Sequence, residues 1–132
     1  MKSGDKQAKT TAGPREKELM DRIQLTIGGR RGFRLWRNNV GAAKVFRGPG
    51  MPPGFISFGL CPGSSDLIGM MPGGRFLAIE VKRPGEAQTE DQLKFEAAVC
   101  ECGGLYILAT SVEEAVAAVD AAQAKDRGQH HP

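Results

Sequence analysis

Two charged residues, Glu80 and Lys82, stand two positions apart in the otherwise apolar segment FLAIEVK. Residues at i and i+2 of a β-strand point to the same face, so both side chains would share one face while Ile79 and Val81 point into the core. Charged side chains in an apolar strand cost free energy unless they meet partners. An exposed cross-strand ion pair would also fit this pattern, so the pair alone does not indicate chemistry.

A third charged residue, Asp66, begins the strand that is predicted to precede this one, and its carboxylate could converge with that of Glu80. Two carboxylates at one point repel each other, and a cation between them relieves the repulsion. Oxygen ligands of this kind suit Mg²⁺ or Mn²⁺, and the main-chain carbonyl of Val81 could add another oxygen. Beside such a metal, Lys82 could orient or deprotonate a water, or stabilise charge on a phosphorane. The chemistry indicated is hydrolysis of a phosphodiester.

The elements that must position these residues can be predicted from periodicity and turn residues. Proline suits the first helical turn, glycine pairs end helices, and apolar runs bounded by glycine and proline indicate strands. Residues 41–65, rich in glycine and proline, are expected to form a long loop that includes no strand. In chain order we predict a helix over 14–28, a strand over 33–37, a hairpin of strands over 66–71 and 75–82, a helix that Thr89 caps and residues 103–104 end, a strand over 105–109 buried on both faces, and a helix that ends near Ala124.

The predicted order gives an α/β fold, a mixed sheet with helices on its faces. The strand–helix–strand segment from Phe76 to Ala109 should form a parallel pair with a right-handed crossover. We expect a disordered basic tail over 1–13, a single domain over 14–124 and a loose tail over 125–132.

Charge is distributed unevenly along the 132 residues, whose formal net charge is +3. Residues 1–47 carry 12 Lys and Arg against 4 Asp and Glu, whereas the remainder carries 6 against 11. Such asymmetry indicates either a basic surface that faces an anionic partner, usually a phosphate backbone, or a solvated basic tail. Candidate phosphate contacts are Arg30, Arg31, Arg34, Arg37, Lys44 and Arg47.

Composition bounds the class of protein. The apolar share of 40% and the charged share of 25% are typical of soluble globular proteins. No apolar run approaches the roughly 20 residues of a membrane helix, and the N-terminus lacks the apolar region of a secretory signal. The odd cysteine count, Cys61, Cys100 and Cys102, favours reduced thiols over disulfides or a structural zinc. We therefore expect a cytoplasmic protein with no membrane partner and no small-molecule cofactor.

Three short motifs together resemble one family. The motif G-x-S-D at 63–66, E-V-K at 80–82 and T-x-x-Q at 89–92 are similar to the VRR-NUC domain, the virus-type replication-repair nuclease of the PD-(D/E)xK superfamily. The resemblance runs from about residue 14 to 118. Ser65 stands where the superfamily name has proline, but the carboxylate of Asp66 is retained. The resemblance implies the restriction-endonuclease-like core, a mixed central sheet flanked by helices.

The resemblance also implies roles for particular residues and a substrate. A glutamate is expected on the first helix, and spacing to Ile23 favours Glu16 over Glu18. Stand-alone members resemble phage-encoded, structure-specific endonucleases that act as homodimers on branched DNA inside phage-infected or bacterial cells, and larger relatives serve in DNA repair. The implied metal ligands for Mg²⁺ or Mn²⁺ are Asp66, Glu80 and the Val81 carbonyl, and the implied catalytic set is Glu16, Asp66, Glu80, Lys82 and Gln92.

Two other interpretations stay open at this point. The chain could be a DNA-binding module that does not cut. It could also be a small α/β domain whose Glu80–Lys82 pair is structural and whose basic half serves a protein partner. Trp36 could stack on a base, but packing in the core is favoured because aromatic residues usually pack there. Asn38 and Asn39 are predicted to be turn residues.

Overall fold

A computed structural model describes residues 14–129, so the predicted disordered tail over 1–13 and the last three residues of the predicted loose tail lie outside the described residues. The described part forms three α-helices, a four-stranded mixed sheet and a separate two-stranded hairpin, the predicted α/β class. In chain order the elements are α1 (Pro14–Gly28), β1 (Arg34–Arg37), β2 (Gly41–Val45), β3 (Gly54–Phe58), β4 (Leu67–Met71), a 3₁₀ turn (Pro72–Gly74), β5 (Arg75–Val81), α2 (Glu90–Glu101), β6 (Leu105–Ala109) and α3 (Val112–Gln129).

The four-stranded sheet has the strand order β1-β4-β5-β6. Strand β4 pairs antiparallel with both β1 and β5, and β5 pairs parallel with β6, so the predicted hairpin and the predicted parallel pair are confirmed. Val81 lies opposite Ala109 at one end of the sheet, and Met71 lies opposite Arg75 at the other. The end of β5 and the start of β4 therefore lie side by side at one end of the sheet, next to Asp66.

The hydrophobic core lies on one face of this sheet, under α1 and α3. Because side chains alternate along β5, Leu77, Ile79 and Val81 enter the core while Glu80 points to the opposite face. The helices contribute their apolar stripes, because residues at i, i+3 and i+4 share one side of a helix. The buried helical residues of the core are Met20, Ile23, Ile27, Val112, Ala115 and Val119.

Helix α2 covers only part of the opposite face. The ring of Phe95 contacts Phe76 and Tyr106 edge-on, with centroids 6.5 and 6.4 Å away, so α2 packs over β5 and β6. Strand β6 is an edge strand, and its Leu108 is 42% exposed, so the prediction that β6 is buried on both faces is wrong. The favoured core position for Trp36 is also wrong. This side chain is 50% exposed because it lies on β1, where α2 does not reach.

The segment predicted as one long loop contains a hairpin. Strands β2 and β3 pair antiparallel with each other over five residues each, and neither joins the four-stranded sheet. Glycine and proline are concentrated in the connection, residues 48–54, while the flanking runs Ala42–Val45 and Phe55–Phe58 contain β-branched and aromatic residues that suit strands. Because glycine and proline dominate the composition of the whole segment, these two short runs were not predicted to be strands.

Helix α3 continues to Gln129, past the predicted end near Ala124. Distant parts of the chain contact its middle and its last turns, since Arg30 binds the carboxylate of Asp120 at 2.8 Å and Arg75 binds that of Asp126 at 3.3 Å. None of the described helices combines the length and the apolar character needed to cross a membrane.

Candidate functional site

Strand β5 and the residue after it carry two buried charges. Glu80 is 4% exposed and Lys82 is 7% exposed. The Lys82 N–H donates to the Ala109 carbonyl at 3.0 Å, so the backbone of the lysine is fixed to the end of β6. Its Nζ lies 3.9 Å from Glu80 Oε2. A carboxylate and an ammonium are thus held out of solvent on the sheet face opposite the main core, where they need partners.

Asp66 lies immediately before β4, beside the end of β5. Its carboxylate accepts a hydrogen bond from the Val81 N–H at 2.8 Å. Its main-chain carbonyl accepts one from the Asn38 N–H, also at 2.8 Å. Asp66 and Glu80 line the same cleft, whose volume is about 740 Å³. The structure therefore brings together the two carboxylates that the sequence proposed as partners.

Asn38, just after β1, forms hydrogen bonds with the segment that precedes Asp66. Its Nδ2 donates to the Ser64 hydroxyl and to the Ser65 carbonyl, both at 2.8 Å. Its Oδ1 accepts from the Leu60 N–H at 3.0 Å. The side chain is buried, and both its amide nitrogen and its oxygen are bonded, as burial of an amide requires. Asn38 is thus a cross-link between β1 and the residues before β4, a role that the sequence did not reveal.

The glycine of the G-x-S-D motif makes room for α2. Gly63 has φ of +81°, and a Cβ at this position would lie 2.4 Å from the main-chain carbonyl of Asp91. L-residues rarely adopt this φ, and no Cβ tolerates so short a distance to backbone, so only glycine fits. The segment before Asp66 therefore touches the first turn of α2, which brings this helix close to the carboxylates.

Gln92 joins the start of α2 to the site. The Thr89 hydroxyl accepts from the Gln92 N–H at 3.2 Å, and Gln92 Oε1 accepts from the Thr89 N–H at 2.9 Å. This capping box confirms the predicted helix start. The remaining amide nitrogen, Nε2, donates to Glu80 Oε2 at 2.9 Å. One side chain thus caps the helix and orients the central carboxylate.

A second carboxylate beside Lys82 was not predicted from the sequence. Residues 83–86, Arg-Pro-Gly-Glu, form a turn in which the Glu86 N–H donates to the Arg83 carbonyl at 3.0 Å. Glu86 Oε1 accepts from the Arg83 N–H at 3.0 Å, and its other oxygen lies 3.9 Å from Lys82 Nζ. The signal was present, because proline and glycine at the two central positions indicate a type II turn that reverses the chain.

The surroundings of the two carboxyl groups disfavour their ionised forms. Burial and, next, the negative charge of Asp66 raise the pKa of Glu80 to about 8. Burial also raises the pKa of Asp66, against the lowering effect of its hydrogen bond from Val81. The second oxygen of Glu80, Oε1, is buried and has no hydrogen-bond partner. An unpaired acceptor oxygen in a cleft that also contains Asp66 suits a hard divalent cation, which takes oxygen ligands.

The described residues contain no group of three or more His, Cys, Asp and Glu side chains that could hold a metal ion. A cation here would thus rely on the two carboxylates of Asp66 and Glu80, with other oxygens from main chain, water or substrate. This donor set resembles the usual environment of Mg²⁺, which keeps several waters and is bound by one or two carboxylates. The cysteine thiols take no part, since all three are free and exposed.

Helix α1 brings one of its two candidate glutamates into the cleft. Glu16 lines the cleft together with Asp66 and Lys82, and its carboxylate lies 3.4 Å from Arg83 Nε. The charge of Glu16 also contributes to raising the pKa of Asp66. Glu18 lies outside this cleft and lines a neighbouring groove. Of the two, Glu16 is the one that lines the cleft with Asp66, and its catalytic role stays a prediction.

The six basic residues predicted to contact phosphates are spread over the described surface. Arg37 lines the cleft, where its guanidinium binds Asp21 at 2.8 Å. Arg30 lies near the 3₁₀ turn, at the other end of the sheet, and binds Asp120. Lys17, which was not predicted, lines the cleft beside Arg37. The other four predicted residues are exposed and line neither cleft nor groove: Arg31, Arg34, Lys44 and Arg47.

The comparison with protein families agrees with the motifs that the site contains. The family model described as the VRR-NUC domain matches residues 17–113, which run from α1 to the start of α3 and include Asp66, Glu80 and Lys82. No match is found among curated proteins or among solved structures. The chain therefore belongs to the VRR-NUC family, and its domain is a DNA-processing domain of the nuclease type.

Proposed function

We propose that the chain is a Mg²⁺- or Mn²⁺-dependent, structure-specific DNA endonuclease that hydrolyses phosphodiester bonds in branched DNA such as four-way junctions or flaps. The observation that carries the proposal is the buried, unpaired oxygen of Glu80, which lies in a cleft with Asp66 and the buried Lys82. Membership of the VRR-NUC family supports a nuclease that acts on DNA.

Asp66 and Glu80 would hold the cation, with the main-chain carbonyl of Val81 as a further oxygen. A bound divalent cation polarises a phosphoryl oxygen and lowers the pKa of a water molecule. Gln92 donates to one oxygen of Glu80 at 2.9 Å and leaves the other oxygen available. Second-shell hydrogen bonds of this kind orient ligating carboxylates and keep them in place when a ligand binds.

Lys82 is the residue that would act on the reacting groups. Its ammonium lies 3.9 Å from both Glu80 and Glu86, and the bond from its backbone N–H to Ala109 fixes the base of the side chain. A positioned ammonium can orient the attacking water, or stabilise the negative charge that develops on the phosphate oxygens. Glu86 would hold the Lys82 ammonium between its own carboxylate and that of Glu80 until substrate binds.

Cleavage assays test this proposal directly. Labelled four-way junction, flap, single-stranded and duplex DNA are incubated with Mg²⁺, Mn²⁺ or EDTA. The proteins compared are wild type, Lys82→Ala and the matched control Lys94→Ala, which removes an exposed lysine of α2. We expect metal-dependent cutting of branched DNA, lost by about 10²–10⁴-fold in Lys82→Ala and kept in Lys94→Ala.

Two other outcomes of the same assay would contradict the proposal. Tight binding of DNA without cutting by the wild type would make the chain a DNA-binding module. Neither binding nor cutting would leave the Glu80–Lys82 pair as a structural feature of an α/β domain.

We also propose that the chain acts inside the cell as a homodimer, because two sites related by symmetry could cut the two strands of a junction. Light scattering across the concentrations used in the cleavage assays should give the mass of a dimer. A monomer at every working concentration would contradict the paired-strand version and leave single cuts as the reaction.

A further inference from the structure

The β2–β3 hairpin contributes one aromatic side chain to the cleft, that of Phe58. Its ring is 45% exposed, although most phenylalanine side chains are buried. The same cleft contains Asp66 and Glu80. We propose that Phe58 is a binding site for an unpaired DNA base, which stacks on its ring while the neighbouring phosphate lies at the carboxylates. This inference rests on the proposed function, and it names how that site would select branched substrates.

The ring of Phe58 lies over the backbone of the neighbouring strand. Phe58 lies opposite Gly41 in the five-residue ladder of the hairpin. A Cβ on Gly41 would come within 2.8 Å of the ring carbon Cζ, so the ring occupies the space that a side chain would fill. An aromatic ring fixed by contact with backbone loses little conformational freedom when a ligand stacks on it, which favours binding.

Stacking explains a preference for unpaired bases without any reading of sequence. Every base has a π-face, so an aromatic side chain accepts all four bases. In an intact duplex both faces of each base are covered by neighbours, whereas the single-stranded arms of flaps and splayed DNA expose bases. The cleft also contains Lys17 and Arg37, two basic side chains that suit the phosphates on either side of a stacked base, and Arg37 would exchange its partner Asp21 for a phosphate. Its volume of about 740 Å³ is within the roughly 300–1,000 Å³ typical of ligand sites.

The hairpin itself provides a matched control. Phe55 is also an exposed aromatic residue of β3, at 69%. It lies opposite Lys44 in the ladder, three positions from Phe58, and therefore on the other face of the hairpin. It does not line the cleft. Phe55→Ala thus removes an exposed ring from the same strand without touching the proposed stacking site.

Fluorescence anisotropy in EDTA measures binding without cleavage. The ligands are a splayed-arm DNA and a fully paired duplex of equal length, and the proteins are wild type, Phe58→Ala, Phe58→Leu, Phe58→Trp and Phe55→Ala. We expect Phe58→Ala and Phe58→Leu to weaken binding of the splayed DNA by about tenfold, and that of the duplex by much less. Phe58→Trp should restore binding, and Phe55→Ala should bind as wild type does. Leucine keeps apolar bulk over Gly41, so it separates loss of the ring from loss of packing.

Several outcomes would overturn the inference: wild-type affinity in Phe58→Leu, equal weakening for both DNAs, a Phe55→Ala loss equal to that of Phe58→Ala, or no DNA binding by the wild type. Thermal melts by circular dichroism confirm that each variant is folded. The two proposals fail separately. If the wild type binds the splayed DNA but does not cut it with Mg²⁺, the nuclease proposal fails, and the binding comparison still decides the role of Phe58.

Discussion

The segment around Asp66 and the β2–β3 hairpin are neighbours in the chain, but they are held in opposite ways. Asn38 donates to two partners within Ser64–Ser65, Gly63 presses against the backbone of α2, and Ser65 is fully buried. The hairpin pairs only with itself, and four consecutive residues of β3, Phe55–Phe58, are exposed.

The difference separates two requirements of a DNA-cutting domain. Reacting groups must stay within a few tenths of an ångström of one geometry, which needs cross-links and burial. A surface that meets branched DNA of varied shape needs exposed groups. The buried residues Ser64 and Ser65 before Asp66 and the exposed residues of β3 lie on either side of Gly59 in the chain.

The largest effect should come from Glu80, which lies in the cleft with Asp66. Glu80→Gln removes a charge next to Asp66, and we expect Mn²⁺ affinity measured by calorimetry to fall by about hundredfold or more. Glu90→Gln, in the exposed first turn of α2, is the control and should bind Mn²⁺ as wild type does. Wild-type affinity in Glu80→Gln would mean that the Glu80–Lys82 pair is only a salt bridge.

Asn38 and Asn39 offer a sharper comparison, because one is buried and its neighbour is exposed. Asn38→Ala leaves the Ser65 carbonyl and the Leu60 N–H without partners, which should lower the free energy of unfolding by about 1–3 kcal/mol. Because the Asp66 segment is then loosened, Mn²⁺ affinity should fall about tenfold or more. Asn39→Ala should change neither quantity.

Loss of stability with unchanged Mn²⁺ affinity in Asn38→Ala would show that this cross-link supports the fold and not the site. Should Asn38→Ala fail to fold, Ser64→Ala removes one acceptor of Asn38, together with the hydrogen bonds between the Ser64 hydroxyl and the Cys61 backbone, and leaves the bonds of Asn38 to Ser65 and Leu60.

The third prediction concerns pH in the metal-free protein. The folded-state pKa of Glu80, about 8, lies above the ordinary value of 4.5, so the folded chain binds more protons between these values. The free energy of unfolding should therefore fall as pH rises from about 5 to 8, by about 1 kcal/mol or more. Urea unfolding in EDTA measures this slope, which Glu80→Gln should reduce. An unchanged slope in the variant would assign the pH dependence to other groups.

The smallest effect should come from the hairpin. Phe46, directly after β2, is 84% exposed, so Phe46→Ser should change the free energy of unfolding by no more than about 0.5 kcal/mol. Ile79→Ala in the core should cost about 2–5 kcal/mol in the same urea titration. A loss above about 1 kcal/mol in Phe46→Ser would mean that the hairpin packs against something, such as a second copy of the chain.

Local signals predicted most of the four-stranded fold. Pro14, the turn at 72–74 and the cap at Thr89 are signals that act over a few neighbouring residues. The helices and strands that they delimit are present in the structure. The end of α3 depends instead on Arg75, which binds Asp126 across 51 residues. Sequence patterns do not reveal contacts between residues so far apart in the chain. The predicted helix was therefore too short.

The site, like the fold, has one part that the sequence predicted and another that it did not. The shared face of Glu80 and Lys82 follows from strand periodicity, and the resemblance supplied Asp66 and Gln92. The cross-link by Asn38 could not be predicted, because its partners lie more than 20 residues away. Glu86 was within reach of prediction. The proline–glycine turn before it reverses the chain and so brings the side chain of Glu86 back to Lys82.

The bond from the Lys82 N–H to Ala109 and the one from Gln92 to Glu80 have a consequence for synthesis of the chain. A nascent polypeptide that has left the ribosome only as far as Lys82 already contains both carboxylates and the lysine. It still lacks the helix that orients Glu80 and the strand that anchors the lysine. The order of translation thus delays assembly of the cleft until nearly the whole domain is made.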